Sequence, residues 1–360
     1  MTGLLAAFFS SFIATLLIIR FQHLHSHFSA DSDLSGPQKF HKFSVPRIGG
    51  ISIATGIFAA TLFRLQSNPG STIETTLLVC TIPTFAIGLA EDLTKKIGIK
   101  TRLIFTAIAA SMAAIYLGAQ INRLDVPGID CLLAIPGIGM LFTIFAVTGL
   151  ANAYNIIDGF NGLSSMVGII TLMGLTYVSY AVGDPLMMYL SLVMAGSILG
   201  FFLWNYPRGL IFLGDGGAYL IGFWIAIITV MLVARHQNIS PWFALLINAY
   251  PILETLFTIY RRKIHQGKNP GLPDGIHFHT LIFRRILNPI CNAQKEDFFS
   301  ANAKTSPYLW VLTAMAIVPA ILWWQSTNIM IACSIIFTVS YIWIYKRVVT
   351  FKTPNWLHPY

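Results

Sequence analysis

Charge is what this chain has least of. Only 10% of its 360 residues are Asp, Glu, Lys or Arg, against about 25% in a soluble globular chain. Hydrophobic residues make up 55% and mean hydropathy is +0.69. A soluble domain is excluded, and an all-α polytopic membrane protein is expected. Cysteine is scarce too. Cys80, Cys131, Cys291 and Cys333 show neither paired nor metal-like spacing, which excludes a disulfide framework and makes them unpaired packing residues. Also missing are a Walker A loop, a zinc motif, a Ser-His-Asp arrangement, any internal repeat and an appended soluble domain. The opening MTGLLAAFFSSFIATLLIIRF has no basic n-region and no convincing cleavage site, so it reads as a retained first span. The pI of 9.4 does not imply nucleic acid here, because basic excess in a membrane protein reflects loops held at the cytoplasmic face.

What is present is a series of apolar runs. A helix needs about 20 apolar residues to cross the hydrocarbon core. That length gives about eleven spans in one integral-membrane unit over 1–360: 3–21, 48–64, 76–90, 103–121, 131–151, 163–182, 186–204, 218–234, 242–260, 308–325 and 328–345. With these spans, all Lys and Arg fall on one side except Arg64, Arg123 and Arg235. The basic side is expected to be cytoplasmic, with the N-terminus outside and the C-terminus inside. Every unusual polar cluster lies on that side too: PRIGG (46–50), EDLTKK (91–96), NAYNIIDGFNG (152–162), NYPRGLIFLGDGG (205–217) and DGIHFHT (274–280). An enzyme working at the cytoplasmic membrane surface needs that convergence. A transporter would need polar groups at midplane, where Glu254 is the only charge.

Each cluster has an ordinary reading beside a chemical one. Glu91 and Asp92 end a span, where the helix dipole disfavours carboxylates, so they need Lys95 and Lys96 or a bound cation. Asp215 reads as a helix N-cap, yet Gly216–Gly217 beside it would let backbone approach a ligand, and a helix start favours phosphate. Asn152, Asn155 and Asp158 recur every third residue and share roughly one helix face. The alternative is an Asx turn into Gly159, which leaves that spacing unexplained. His277 and His279 would point the same way on an extended segment, near Asp274 and followed by Arg284 and Arg285. Lys100 and Arg102 suit phosphate binding. Acids that would repel a phosphorylated substrate become useful around Mg²⁺, which favours carboxylate plus phosphate oxygens. Metal-assisted phosphoryl transfer involving a lipid follows.

In order and placement these motifs resemble the polyprenyl-phosphate N-acetylhexosamine-1-phosphate transferases (glycosyltransferase family 4). That superfamily includes phospho-N-acetylmuramoyl-pentapeptide translocase and the enzymes that start O-antigen and teichoic-acid linkage synthesis. The resemblance covers PRIGG, the acidic pair, NAYNIIDGFNGL, N-x-x-P followed by FLGDGG, and the late HxH loop. It implies attack of a polyprenyl phosphate, such as undecaprenyl phosphate, on the β-phosphorus of a UDP-N-acetylhexosamine, with release of UMP. It also implies Mg²⁺ (or Mn²⁺ in its place), a bacterial inner-membrane location and room for a homodimer. By motif position Asp215 is the expected metal ligand, and Glu91, Asp92 and Asp158 are the catalytic acids, Asp92 as base or lipid-phosphate positioner. Asn152 and Asn155 match active-site polar positions, and Arg102 belongs with the substrate-binding residues. Asn205 and Phe212 match nucleotide-binding places, with Phe212 stacking on uracil. His277 and His279 match the diphosphate-contacting histidines. Three departures stand out: Glu91 replaces the first Asp of the usual pair, Asn161 replaces the second Asp of D-G-x-D-G, and Thr280 stands where a further His is common. The last two argue against the peptidoglycan translocase and toward initiation of a surface polysaccharide such as O-antigen.

Overall fold

A computed structural model describes residues 2–31, 45–68, 70, 72–269, 274–293 and 298–351. Its helices in chain order are α1 (Thr2–Arg20), α2 (Gln22–Ser29), α3 (Gly49–Ser67), α4 (Ile73–Thr94), α5 (Ile99–Tyr116) and α6 (Ile129–Leu133). They continue as α7 (Pro136–Ile156), α8 (Leu163–Ala181), α9 (Pro185–Asn205), α10 (Gly214–Arg235), α11 (Pro241–Ile247) and α12 (Ala249–Tyr260). A π-helical turn, Arg261–His265, extends α12. Then come α13 (Phe278–Ile282), a second π turn (Phe283–Leu287), α14 (Asn288–Ala293), α15 (Phe298–Leu322) and α16 (Thr327–Val349).

Among the described residues, nine helices are long and apolar enough to cross a membrane. Each of the eleven runs read from the sequence falls mainly on helix, though 103–121 outruns α5, 308–325 outruns α15, and 131–151 begins in α6 and is broken before α7. Two more do not stand as simple spans. The run at 48–64 is α3, a full-length helix diluted by Arg64 and Gln66 that is not one of the nine. The run at 242–260 is two helices, α11 and α12, bent by 76°. Pro251 is the physical reason, because it has no N–H to give the carbonyl of Ile247, four residues back. Large apolar side chains such as Phe145, Leu141 and Ile336 remain exposed on the outward faces, as lipid contact requires. The chain is a multi-pass membrane protein. Its four cysteines are free, but Cys131 is exposed, so it is not a packing residue.

α10 is the axis. Its sequence is apolar on every side, and a helix of that kind belongs inside the bundle. It packs on α3, α4, α7 and α8. Glycines let the backbones meet. A Cβ on Gly88 of α4 would lie 2.7 Å from the Cα of Gly216, and one on Gly50 of α3 would run into Gly217. Gly216–Gly217 therefore receive neighbouring helices, which corrects the expectation that they make room for a ligand. We predict that Gly88→Ala costs about 1–3 kcal/mol through overpacking. It should lower the unfolding midpoint of detergent-purified protein, whereas Gly149→Ala, inside α7 and meeting nothing within 4 Å, should not. Equal midpoints for the two variants would remove the close-approach explanation.

A two-residue antiparallel pairing, Ala30–Asp31 with Val45–Pro46, leads into α3. The following backbone is stitched to the start of α10. Phe212 N donates to Pro46 O at 2.8 Å, Gly49 N to Phe212 O at 3.0 Å, and Gly50 N to Leu213 O at 3.0 Å. That stitching delivers Arg47 to the first turn of α10.

Candidate active site

The first turn of a helix presents backbone N–H groups that have no partner within the helix. In α10 those of Asp215 and Gly216 are taken by the buried carboxylate of Asp92, at 2.7 and 2.8 Å. Asp92 sits unfavourably at the end of its own helix, yet it lies against the favourable end of another. Asp92 is thus the cap of α10, and Asp215 is not: α10 begins at Gly214, and Leu213 before it makes no side-chain cap.

Freed from capping, the Asp215 carboxylate takes two guanidinium groups. Arg47 Nη2 lies 2.7 Å from Oδ1, and Arg102 Nη1 contacts Oδ2. Arg47 also reaches Asp92, Nε to Oδ1 at 3.5 Å. Arg47 was visible in the sequence only as a letter of PRIGG and as a cytoplasmic cation.

Glu91 parts from its neighbour. Its Oε2 accepts from Ile97 N at 2.6 Å, closing the turn in which Lys95 adopts a left-handed φ of 55°. Its visible work is in that turn.

α7 carries Asn152 and Asn155 and stops at Ile156, so Asp158 follows the helix instead of extending its face. Asn152 Oδ1 accepts from the Tyr219 hydroxyl at 2.8 Å, and the Arg102 guanidinium lies 5.9 Å from the Tyr219 ring centre. Asn155 is partly buried. Asp158 is partly buried, and among the described residues its carboxylate has no hydrogen bond or ion pair. Burial pushes its pKa up to about 7, against the pull of the nearby Arg47 guanidinium.

Beyond Asp158 the loop is fixed by amides. Asn161 N donates to Asn302 Oδ1 at 3.1 Å, its Nδ2 donates to Pro207 O at 3.1 Å, and its carbonyl accepts from Ser306 Oγ at 2.6 Å. A carboxylate could not make the second of these bonds, which gives the Asn161 departure a structural reason. Asn205 Oδ1 accepts from Gly162 N at 2.6 Å and its Nδ2 donates to Ile211 O at 2.7 Å. Buried, with both ends of its amide spent, Asn205 braces the loop. Phe212 is partly buried, its backbone pinned between Pro46 and Gly49.

The two histidines come together by a different route from the extended segment expected. α13 starts at Phe278 with His277 as its N-cap, and the two rings stack with centres 5.2 Å apart at 13°. Glu254 holds the pair. Its Oε1 accepts from Phe278 N at 3.1 Å and lies 3.0 Å from His277 Nδ1, while its Oε2 accepts from the Tyr341 hydroxyl at 2.8 Å. Glu254, expected from the sequence at midplane, thus lies at the histidine loop instead, its charge consumed inside the protein. His279 stands against the Asp158 loop: a Cβ on Gly159 would be 2.8 Å from its Nε2, and Phe160 meets it edge-on at 5.6 Å. Burial lowers the His279 pKa to about 3, with Glu254 pulling the other way. It is neutral at pH 7, and among the described residues its buried Nδ1 has no partner.

PRIGG, the ends of α4 and α7, and the starts of α5 and α10 thus meet at one end of the bundle, with His279 alongside. Comparison with known proteins bears on the same stretch. Residues 75–233 match glycosyl transferase family 4. A probable undecaprenyl-phosphate N-acetylglucosaminyl 1-phosphate transferase of Bacillus subtilis is 28% identical over 69% of this chain and 68% of its own length. An undecaprenyl-phosphate alpha-N-acetylglucosaminyl 1-phosphate transferase of Thermotoga maritima is 27% identical over 71% of this chain and 73% of its own. Its Yersinia pestis counterpart is 28% identical over 69% and 68%. The matched segment contains Glu91, Asp92, Arg102, Asn152, Asn155, Asp158, Asn205, Phe212 and Asp215.

Proposed function

We propose that this protein transfers an N-acetylhexosamine 1-phosphate from a UDP-sugar to a polyprenyl phosphate and releases UMP. The relatives name N-acetylglucosamine as the sugar and undecaprenyl phosphate as the lipid, and we take both for this chain. In the reaction an oxygen of the lipid phosphate attacks the β-phosphorus of the UDP-sugar. The bond from that phosphorus to UMP breaks, leaving a diphosphate between lipid and sugar. The observation that carries this reading is the Asp158 carboxylate, unpartnered among the described residues and within the electrostatic reach of Arg47 of the Arg47–Asp215–Arg102 cluster. Arg47 and Arg102 supply fixed cationic donors for phosphate oxygens. Asp158, ionising near neutral pH, is placed to hold or accept the lipid phosphate's proton. Asp92 is less suited to that role than the sequence implied, since both its oxygens accept backbone N–H groups.

Mg²⁺ suits the donor set. Both Asp215 oxygens are held by guanidinium groups in this structure, so Mg²⁺ would take Asp215 in place of one of them and free that guanidinium for phosphate. Mg²⁺ commonly takes one or two carboxylates plus substrate phosphates. Among the described residues no group of three or more His, Cys, Asp or Glu could hold a metal ion, so the remaining ligands would be phosphate oxygens and water. Bound there, the ion would offset the charge of the transferring phosphates. The product suits initiation of a surface polysaccharide such as O-antigen at the bacterial inner membrane.

The experiment is nucleotide analysis. UMP should appear only when UDP-N-acetylglucosamine and polyprenyl phosphate are both present. Release of UDP would mean ordinary glycosyl transfer and overturn the proposal.

Orientation follows from charge. The three cations of the sparsely charged side are each tied to a carboxylate, Arg64 to Glu74, Arg123 to Asp125 and Arg235 to Asp184. The orientation nevertheless rests on the Lys and Arg split itself, to which carboxylates contribute little. Reporters fused after Lys96, Gly217 and Thr280 should behave as cytoplasmic, and one after Arg123 as external. An external signal from any of the first three would break the single-face site.

A further inference from the structure

Away from the acids, α12 with its π turn and α16 enclose an open groove of about 610 Å³, within the ~300–1,000 Å³ range of ligand sites. Its walls are apolar, with Leu256, Phe257 and Val349 among them, and its mouth carries Arg261, His265 and Lys346. No acid lines it. Arg261 is buried and its Nη2 contacts Asp274, while among the described residues its Nε and Nη1 have no partner. His265 and Lys346 are exposed. We propose that this groove binds an anionic glycerophospholipid, one acyl chain along the apolar walls and the phosphate among the three basic side chains. The proposal does not depend on the reaction assigned above.

Length chooses the chain. The groove extends along the helix from Leu253 to His265, roughly 18 Å at the rise of a helix. That is close to one leaflet's share of a hydrocarbon core about 30 Å thick. One acyl chain matches it, whereas a polyprenyl chain would overrun it. Charge chooses the headgroup. The basic mouth complements a net negative phosphate diester and gains little from a zwitterionic lipid, whose cationic group cancels the attraction.

The groove also lies behind the histidine loop, not in the reaction site. Its wall residue Tyr341 donates to Glu254, Glu254 holds His277, His277 stacks on His279, and His279 faces Gly159. A second wall residue, Tyr345, donates to Ile276 O at 3.0 Å. A lipid seated there would brace the side chains that hold the loop.

The test uses the detergent-purified full chain in mixed micelles with labelled phosphatidylglycerol, against phosphatidylcholine of the same acyl composition. About one phosphatidylglycerol should be retained per chain, with phosphatidylcholine binding at least roughly tenfold weaker. The exposed substitutions Lys346→Glu and His265→Glu together should weaken phosphatidylglycerol by roughly tenfold or more. Val349→Trp, which fills the groove from an exposed position, should abolish retention. Equal retention of the two lipids, or unchanged retention in both variants, would reduce the groove to ordinary annular contact and overturn the proposal. Stoichiometric displacement by polyprenyl phosphate would overturn it in favour of the acceptor as occupant.

Discussion

Asp215→Asn is expected to lower turnover by about 10³-fold while the protein stays folded. The substitution removes no apolar surface. It also leaves the start of α10 capped, because Asp92, not Asp215, accepts the N–H groups of residues 215 and 216. Arg47 keeps its contact with Asp92. What disappears is the negative charge that gathers Arg47 and Arg102 and gives a divalent cation its hard protein ligand. Stabilisation of that kind is worth several kcal/mol, and about 1.4 kcal/mol is tenfold in rate. The measurement is UMP release by purified wild type and variant across a Mg²⁺ titration, with elution profile and unfolding midpoint as controls for folding. Turnover within a few-fold of wild type, with unchanged Mg²⁺ dependence, would remove Asp215 from the reaction.

The same residue shows where sequence reasoning reached and where it stopped. Spans were legible because apolar runs have to match the bilayer; that α10 is apolar all round and belongs inside the bundle was not drawn from the sequence. That polar clusters converge was legible too, from charge asymmetry. Partners were not. Adjacent helical residues do not share a face, so Glu91 and Asp92 had to diverge, but only the packing of α4 on α10 decides which one turns inward. Gly216 and Gly217 signal close approach, and a sequence does not say whether a ligand or a helix approaches. Asn205 finds its partners six residues ahead and 43 behind, so an amide spent inside looks the same on paper as one offered to a nucleotide. Glu254 read as an isolated midplane charge because Tyr341, which holds it, is 87 residues away.

Asp158 yields the other large effect, and it has a pH signature. Burial holds its pKa up to about 7, with Arg47 pulling down, while a carboxyl in the unfolded chain titrates near 4 (about 3.9 for Asp). Between those values the folded state keeps a proton that the unfolded chain has released. Stability therefore falls as pH rises through that window and stays at its lower level above about 7. The ionised carboxylate is the form the fold tolerates least and the form the reaction uses. Activity of the wild type should fall about tenfold per pH unit below 7, as Asp158 takes up its proton. Asp158→Asn should lower turnover by about 10² to 10⁴-fold and erase that acidic limb. Its effect on stability should run the opposite way. Because Asn carries no charge to bury, the variant should unfold at a higher temperature than wild type at pH 8 and at the same temperature at pH 4, where Asp158 is already neutral. Nucleotide release and thermal unfolding, each followed from pH 4 to 9 in one detergent, test both halves. An Asn variant that keeps the wild-type pH profile, or that melts below wild type at pH 8, would show that Asp158 is an ordinary loop carboxylate.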